Sequence, residues 1–144
     1  MEESKQDPHL VSHIEPEDSA YNCVKFMPTT SAKQSSFATG LQDGTVKLYK
    51  AKAGSAKSMQ YDVVHEFKDH FFPVNDVCFA EKSPWLATCA NDTIVNMFDY
   101  EKGQLCRSFL GGHTSFVTKC LFNKYENILL STGTDNFLMV WDVR

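Results

Sequence analysis

Two histidine–aspartate pairs are the residues in this chain whose types and spacing suggest chemistry. His113 lies 22 positions before Asp135, and His70 lies 22 positions before Asp92. A histidine held by a carboxylate can act as a general base, and both residue types ligate metals. Either role needs more: a nucleophile within reach, or additional ligands. The sequence carries no G-x-S-x-G, no phosphate-binding glycine loop, no zinc spacing and no paired acidic motif. Gly111-Gly112 stands before a strand pattern, so it reads as a turn and not as a phosphate cradle before a helix. The five cysteines (Cys23, Cys78, Cys89, Cys106 and Cys120) show no C-x-x-C spacing and all fall in predicted strands. They read as buried free thiols of an intracellular protein. No catalytic residue, metal site or cofactor is expected.

The elements that must position these residues are short strands. Gly111 to Arg144 holds three β-type runs, Phe116 to Phe122, Asn127 to Thr132 and Phe137 to Asp142, separated by polar turns. The pattern recurs upstream. Asp135 precedes Trp141 by six positions, as Asp92 precedes Phe98 and Asp43 precedes Tyr49. Phe122, Phe79 and Phe26 close the first run of each unit. Leu138, Val95 and Val46 are each followed two positions later by another apolar residue, which puts both on one strand face. Measured from aspartate to aspartate, the units are 49 and 43 residues apart. That is the spacing of four strands per unit, with the excess placed in a flexible loop, Lys50 to Ser58.

The Gly-His opening and Trp-Asp closing of the last unit resemble the WD repeat, the building unit of β-propellers. The resemblance implies an all-β fold, a partial β-propeller of about three blades. Blade one would span 19–68, blade two 69–110 and an incomplete blade three 111–144. The predicted strands of blade one are Tyr21–Phe26, Ser36–Leu41, Thr45–Lys50 and Tyr61–Phe67. Those of blade two are Val74–Phe79, Trp85–Ala90, Ile94–Asp99 and Gln104–Phe109. Residues 1–18 read as a flexible tail; in closed propellers of this type an N-terminal strand also completes the last blade. Two and three-quarter blades cannot close a ring. The expectation is therefore a piece of a longer propeller, or a short protein that completes a ring by oligomerising.

For the histidines, the resemblance implies a buried hydrogen-bond chain. Its members would be His113, Ser131, Asp135 and Trp141 in blade three, and His70, Thr88 and Asp92 in blade two, where Phe98 replaces the tryptophan. Blade one would keep Thr39 and Asp43 with Tyr49, and has Glu17 at the histidine position. Breaking such a chain leaves a buried group unpaired.

Asp69 to Arg144 is most similar to early blades of the propeller subunit of COMPASS- and MLL-type histone lysine methyltransferase complexes. The residues concerned are Asn75-Asp76-Val77, Asp99 to Gly103, Gly112 to Val117, Phe122-Asn123 and Trp141-Asp142-Val143. That likeness implies a non-catalytic scaffold in a nuclear, chromatin-modifying assembly. It also points to Asn75 and Thr118 as partner-contacting positions. Thr118 stands where such propellers carry an aromatic ring, so stacking on a guanidinium lacks its ring here. Phe71 and Phe72, in a loop beside Pro73, are further candidate anchors for a partner. The rival readings are an adaptor in RNA processing or ubiquitin ligation and, last, a hydrolase using the His–Asp pairs.

Composition narrows the partners. With 144 residues, 42% of them hydrophobic, the chain can bury a core. A net charge of -4 gives no electrostatic case for a nucleic-acid binder, and no apolar run is long enough to span a bilayer. The start, Met1-Glu2-Glu3-Ser4, is polar and acidic and does not read as a signal peptide. The expected partners are other proteins of a multi-subunit complex, with self-association through open blade edges as an option.

Overall fold

β-Branched and aromatic residues at alternate positions, interrupted by Asn-, Asp- and Gly-bearing turns, give eleven strands in the described part of a computed structural model. It describes residues 14, 18–28, 35–52 and 60–144. The strands are β1 (Tyr21–Phe26), β2 (Ser36–Leu41), β3 (Val46–Ala51), β4 (Tyr61–Phe67), β5 (Val74–Phe79), β6 (Trp85–Ala90), β7 (Val95–Asp99), β8 (Gln104–Phe109), β9 (Val117–Phe122), β10 (Ile128–Gly133) and β11 (Leu138–Asp142). They form three antiparallel meanders, β1-β2-β3-β4, β5-β6-β7-β8 and β9-β10-β11, which do not close into a ring. This is the all-β partial propeller expected from the sequence, with strand ends moved by at most one residue. The predicted 1–18 tail, apart from Ile14 and Asp18, lies outside the described residues, as do Glu17 and most of the Lys50–Ser58 loop.

The core sits in two seams. Ala38, Val46, Leu48 and Phe67 of the first sheet pack on Val74, Val77, Phe79, Leu86, Ala90 and Phe98 of the second. Cys78, Ala87, Cys89, Val95, Met97 and Phe109 of the second sheet pack on Val117, Cys120, Phe122 and Leu129 of the third. β2 and β7 are buried at every position, and β7 belongs to the sheet that is covered on both faces. The innermost strands β1, β5 and β9 lie beside one another, and one amide repeats at each junction. The Asn22 side chain donates to the Val74 carbonyl at 3.1 Å, and Asn75 donates to the Val117 carbonyl at 2.7 Å.

The turn between second and third strands is the same in all three sheets. A tight turn is followed by one residue in left-handed backbone: Gly44 at φ 92°, Thr93 at φ 69° and Asn136 at φ 67°. Glycine suits this position in the first sheet for a second reason. A Cβ on Gly44 would stand 2.4 Å from the His70 carbonyl oxygen. Threonine is the exception, since a β-branched residue is strained at positive φ. Replacing Thr93 with Asn, the third sheet's residue, is expected to raise the unfolding free energy by about 1 kcal/mol. Thermal denaturation checks it; a midpoint no higher than the parent's refutes the strain.

Candidate functional site

Each turn aspartate uses one oxygen to hold its own turn. Asp43 accepts from Thr45 N at 2.9 Å, Asp92 from Ile94 N at 3.0 Å and Asp135 from Phe137 N at 3.1 Å. In the second and third sheets the other oxygen ties down the preceding loop. Asp92 accepts from Phe71 N and lies 2.7 Å from His70 Nδ1; Asp135 accepts from Thr114 N and lies 2.9 Å from His113 Nδ1. A carboxylate only accepts, so Nδ1 of each ring bears the proton.

The chain then runs inward. His113 Nε2 lies 2.8 Å from Ser131 Oγ, which accepts from Trp141 Nε1 at 2.8 Å. All four side chains, His113, Ser131, Asp135 and Trp141, thus have hydrogen-bond partners. Gly112 is explained by the same tryptophan, because a Cβ there would lie 2.2 Å from the indole ring. In the second sheet His70 Nε2 lies 2.8 Å from Thr88 Oγ1, and Phe98 offers no donor. The polar path is rerouted there through Asn96, fully buried, whose amide nitrogen lies 3.5 Å from His70 Nε2 and whose oxygen accepts from Ser108 at 2.6 Å. Asn96 and Ser108 escaped the sequence reading. The signal was a polar residue on the inward face of β7, in register with Thr88.

In the first sheet the Asp43 backbone N–H donates to Ser19 Oγ at 2.9 Å. Thr39, the counterpart of Thr88 and Ser131, is buried, and its hydroxyl has no hydrogen-bond partner among the described residues. Tyr49, the tryptophan's counterpart, pairs its hydroxyl with Tyr21 at 3.2 Å.

The remaining candidates lie apart from these chains. Phe71 and Phe72 sit on the rim at the start of β5, 81% and 57% exposed. Phe116, before β9, and Phe137, before β11, are also exposed at the same end of the sheets. The Asn75 amide is committed to Asn91 Oδ1 and the Val117 carbonyl, both at 2.7 Å. Thr118 Oγ1 donates to the Thr132 carbonyl at 3.1 Å. The opposite rim holds a cavity of about 750 Å³ whose walls include Lys25, Phe26, Glu81, Leu121 and Lys124. There Glu126, buried and at φ 58°, accepts from the backbone N–H groups of Lys82 and Ser83. That clasp between the second and third sheets was invisible in the sequence.

The thiols divide. Cys78, Cys89 and Cys120 are buried, but Cys106 on the outer strand β8 is exposed and Cys23 is half-buried, which corrects the expectation of five buried thiols. An outer strand has solvent on its free side, so burial fails there. Burial pushes the Cys23 thiol up to about 11. Hydrogen bonding to Cys78 and Cys89, with burial added, pushes Cys120 up as well. Neither is a nucleophile near neutral pH. No group of three or more His, Cys, Asp or Glu that could hold a metal occurs among the described residues, and no helix there is long and apolar enough to cross a membrane.

Two outcomes follow. Ser131→Ala should cost about 1–3 kcal/mol, because Trp141 and His113 lose a shared partner, whereas Thr39→Val should be neutral or stabilising. Chemical denaturation of both variants decides it; a Thr39→Val loss as large as that of Ser131→Ala contradicts the unequal chains. Asp135 supplies the second. Burial raises its carboxyl, but the Thr114 and Phe137 N–H groups and His113 outweigh this and hold it at about 2. The unfolded chain therefore takes up this proton first. The carboxylate's contribution is complete above the ordinary value of about 4 and is lost as pH falls through about 2. The stability gap between the parent and Asp135→Asn should shrink across that window in acid titrations of unfolding. A constant gap would show that the carboxylate is not held this way.

Comparison with known proteins agrees with this geometry. The family model described as WD domain, G-beta repeat matches residues 61–99 and 103–142. A WD repeat domain-containing protein 83 homolog of Dictyostelium discoideum is 26% identical over 106 residues, covering 74% of this chain and 30% of its own length. Denticleless protein homolog B of Xenopus laevis is 33% identical over 107 residues, covering 72% and 14%. Cleavage stimulation factor subunit 50 of Arabidopsis thaliana is 29% identical over 123 residues, covering 82% and 28%. The chain thus spans under a third of the length of these relatives.

Proposed function

Since the chain belongs to the family described as WD domain, G-beta repeat, we propose that it works as a non-catalytic protein–protein interaction scaffold and meets its partners through the rim that carries Phe71 and Phe72. One observation carries this reading: the chemistry-bearing side chains are consumed inside, and large apolar ones are presented outside. The His70 and His113 side chains are 1% and 0% exposed, with both ring nitrogens engaged, so no substrate reaches them. Phe71 and Phe72 project from a loop whose backbone is pinned to Asp92 and whose carbonyls touch the first sheet's turn. Aromatic rings on a rigid support are the anchors protein partners use.

The finer placement we propose is a subunit of a chromatin-modifying, histone methyltransferase-type complex in the nucleus. It rests on the likeness of residues 69–144 to early blades of that propeller type. A second reading, an adaptor in RNA processing or ubiquitin ligation, is favoured by the similarity to a protein named cleavage stimulation factor subunit 50. Affinity purification of the parent and of the double variant Phe71→Ser, Phe72→Ser tests both levels. The double variant should melt like the parent and recover its partners at least tenfold less. Equal recovery with intact folding removes the rim anchors. Methyltransferase subunits among the recovered proteins support the first placement, and processing factors or ligase components support the second.

A further inference from the structure

Around Phe71 and Phe72 the rim carries charge of one sign. The Asp43 turn of the first sheet lies against the loop that bears these rings, where a Cβ on Gly44 would meet the carbonyl oxygens of His70 and Phe72. Two exposed carboxylates therefore meet on this surface, Asp43 from the turn and Asp69 from the position before His70. A third, on exposed Asp18, adjoins Ser19, whose Oγ accepts from the Asp43 N–H at 2.9 Å.

Asp43 differs here from its two counterparts. Asp92 and Asp135 give their second oxygen to the entering loop, and their side chains are only 5% and 3% exposed. At Asp43 the Thr45 N–H engages Oδ1, and among the described residues the other oxygen is open to a ligand. The lysines towards this end of the sheets are paired with carboxylates, Lys68 and Lys47 with Glu66 and Lys119 with Asp76. The opposite rim carries both signs, with Lys25, Lys82 and Lys124 exposed beside exposed Glu81 and Glu101. Only the phenylalanine rim thus joins bare aromatic rings to unpaired negative charge, a surface that draws in basic chains and repels acidic ones.

We propose that this rim takes a basic, apolar segment of a partner protein: its arginine or lysine side chains meet Asp43 and Asp69, and its aliphatic side chains cover Phe71 and Phe72. Arginine suits the surface best, because a flat guanidinium can lie on a ring while its N–H groups reach a carboxylate. Phe116, 50% exposed on the loop entering the third sheet, continues the apolar part. The inference rests on the rim reading given above and adds the chemistry of the partner to it.

A fluorescein-labelled peptide of arginine and leucine is the probe, with one control peptide carrying glutamate for arginine and another carrying serine for leucine. The probe should bind the full chain saturably, lose affinity as salt is added, and outbind both controls. Asp43→Asn combined with Asp69→Asn should weaken it roughly fivefold and flatten the salt dependence. Both amides keep an acceptor oxygen, so the melting temperature should hold; if it falls, Asp69→Asn alone carries the test, with a loss of about twofold. Glu81→Gln combined with Glu101→Gln removes the same charge from the opposite rim and should change nothing. The inference is overturned if the probe does not bind, or if the opposite-rim variant weakens it as much as the aspartate variant does. It is also overturned, with the rim itself intact, if the glutamate peptide binds as well as the probe and Phe71→Ser with Phe72→Ser abolishes both. Probe binding that ignores the phenylalanine variant would instead sink the rim reading.

Discussion

One carboxylate per sheet holds this fold in register. The aspartate between second and third strands closes its own turn with one oxygen, in the same way at Asp43, Asp92 and Asp135. With the other oxygen, Asp92 and Asp135 bind a histidine and a backbone N–H from the loop that enters the sheet. A single side chain thereby fixes a turn, orients a ring and anchors the crossing from the neighbouring sheet. Burial opposes its charge, and the converging donors overcome that opposition. In the first sheet Thr39 keeps its buried place and has no hydrogen-bond partner among the described residues.

The second constraint is that a flat apolar sheet face must be covered by the next sheet. Shape alone does not set the relative slide of two such faces, so polar pins do. Asn22 and Asn75 repeat one bond across successive junctions. Asp76 accepts from Cys120 N at 3.2 Å, and Glu126 holds the Lys82–Ser83 turn at the far rim. Both ends of the seam between the second and third sheets are thus pinned. The matched family units, 61–99 and 103–142, each run from the outer strand of one sheet to the third strand of the next. The chain therefore crosses every seam inside a unit, which ties the sheets together covalently as well.

These demands support the scaffold role proposed above. Histidine, aspartate, serine and tryptophan are held in bonds that would have to break before any of them met a substrate. Cys78, Cys89 and Cys120 are buried, Cys23 and Cys120 are raised away from reactivity, and Cys106 stays exposed. What remains free among the described residues is the loop surface, where Phe71 and Phe72 contribute nothing to the seams. Such positions can vary without disturbing the register beneath them.

Sequence alone determined the strands, the three-unit repeat and the His–Asp pairs with Thr88, Ser131 and Trp141, but not Asn96 and Ser108, because the former depend on period-two alternation and on offsets measured along the chain. It also placed Phe71 and Phe72 on the rim, as partner anchors or as rings packed under their loop, and the structure leaves both exposed. Only the tertiary structure decided which groups meet across the seams. Glu126 and Ser83 are 43 residues apart, and Asn75 and Val117 are 42 apart. No local pattern distinguishes a glutamate that clasps a neighbouring turn from one that faces water. The same holds for Asn75 and Thr118, at equivalent positions of successive sheets but differently employed: Asn75 bonds the neighbouring sheet and Thr118 bonds its own. Packing of sheet on sheet sets those partners, and packing is not written in any window of neighbouring residues.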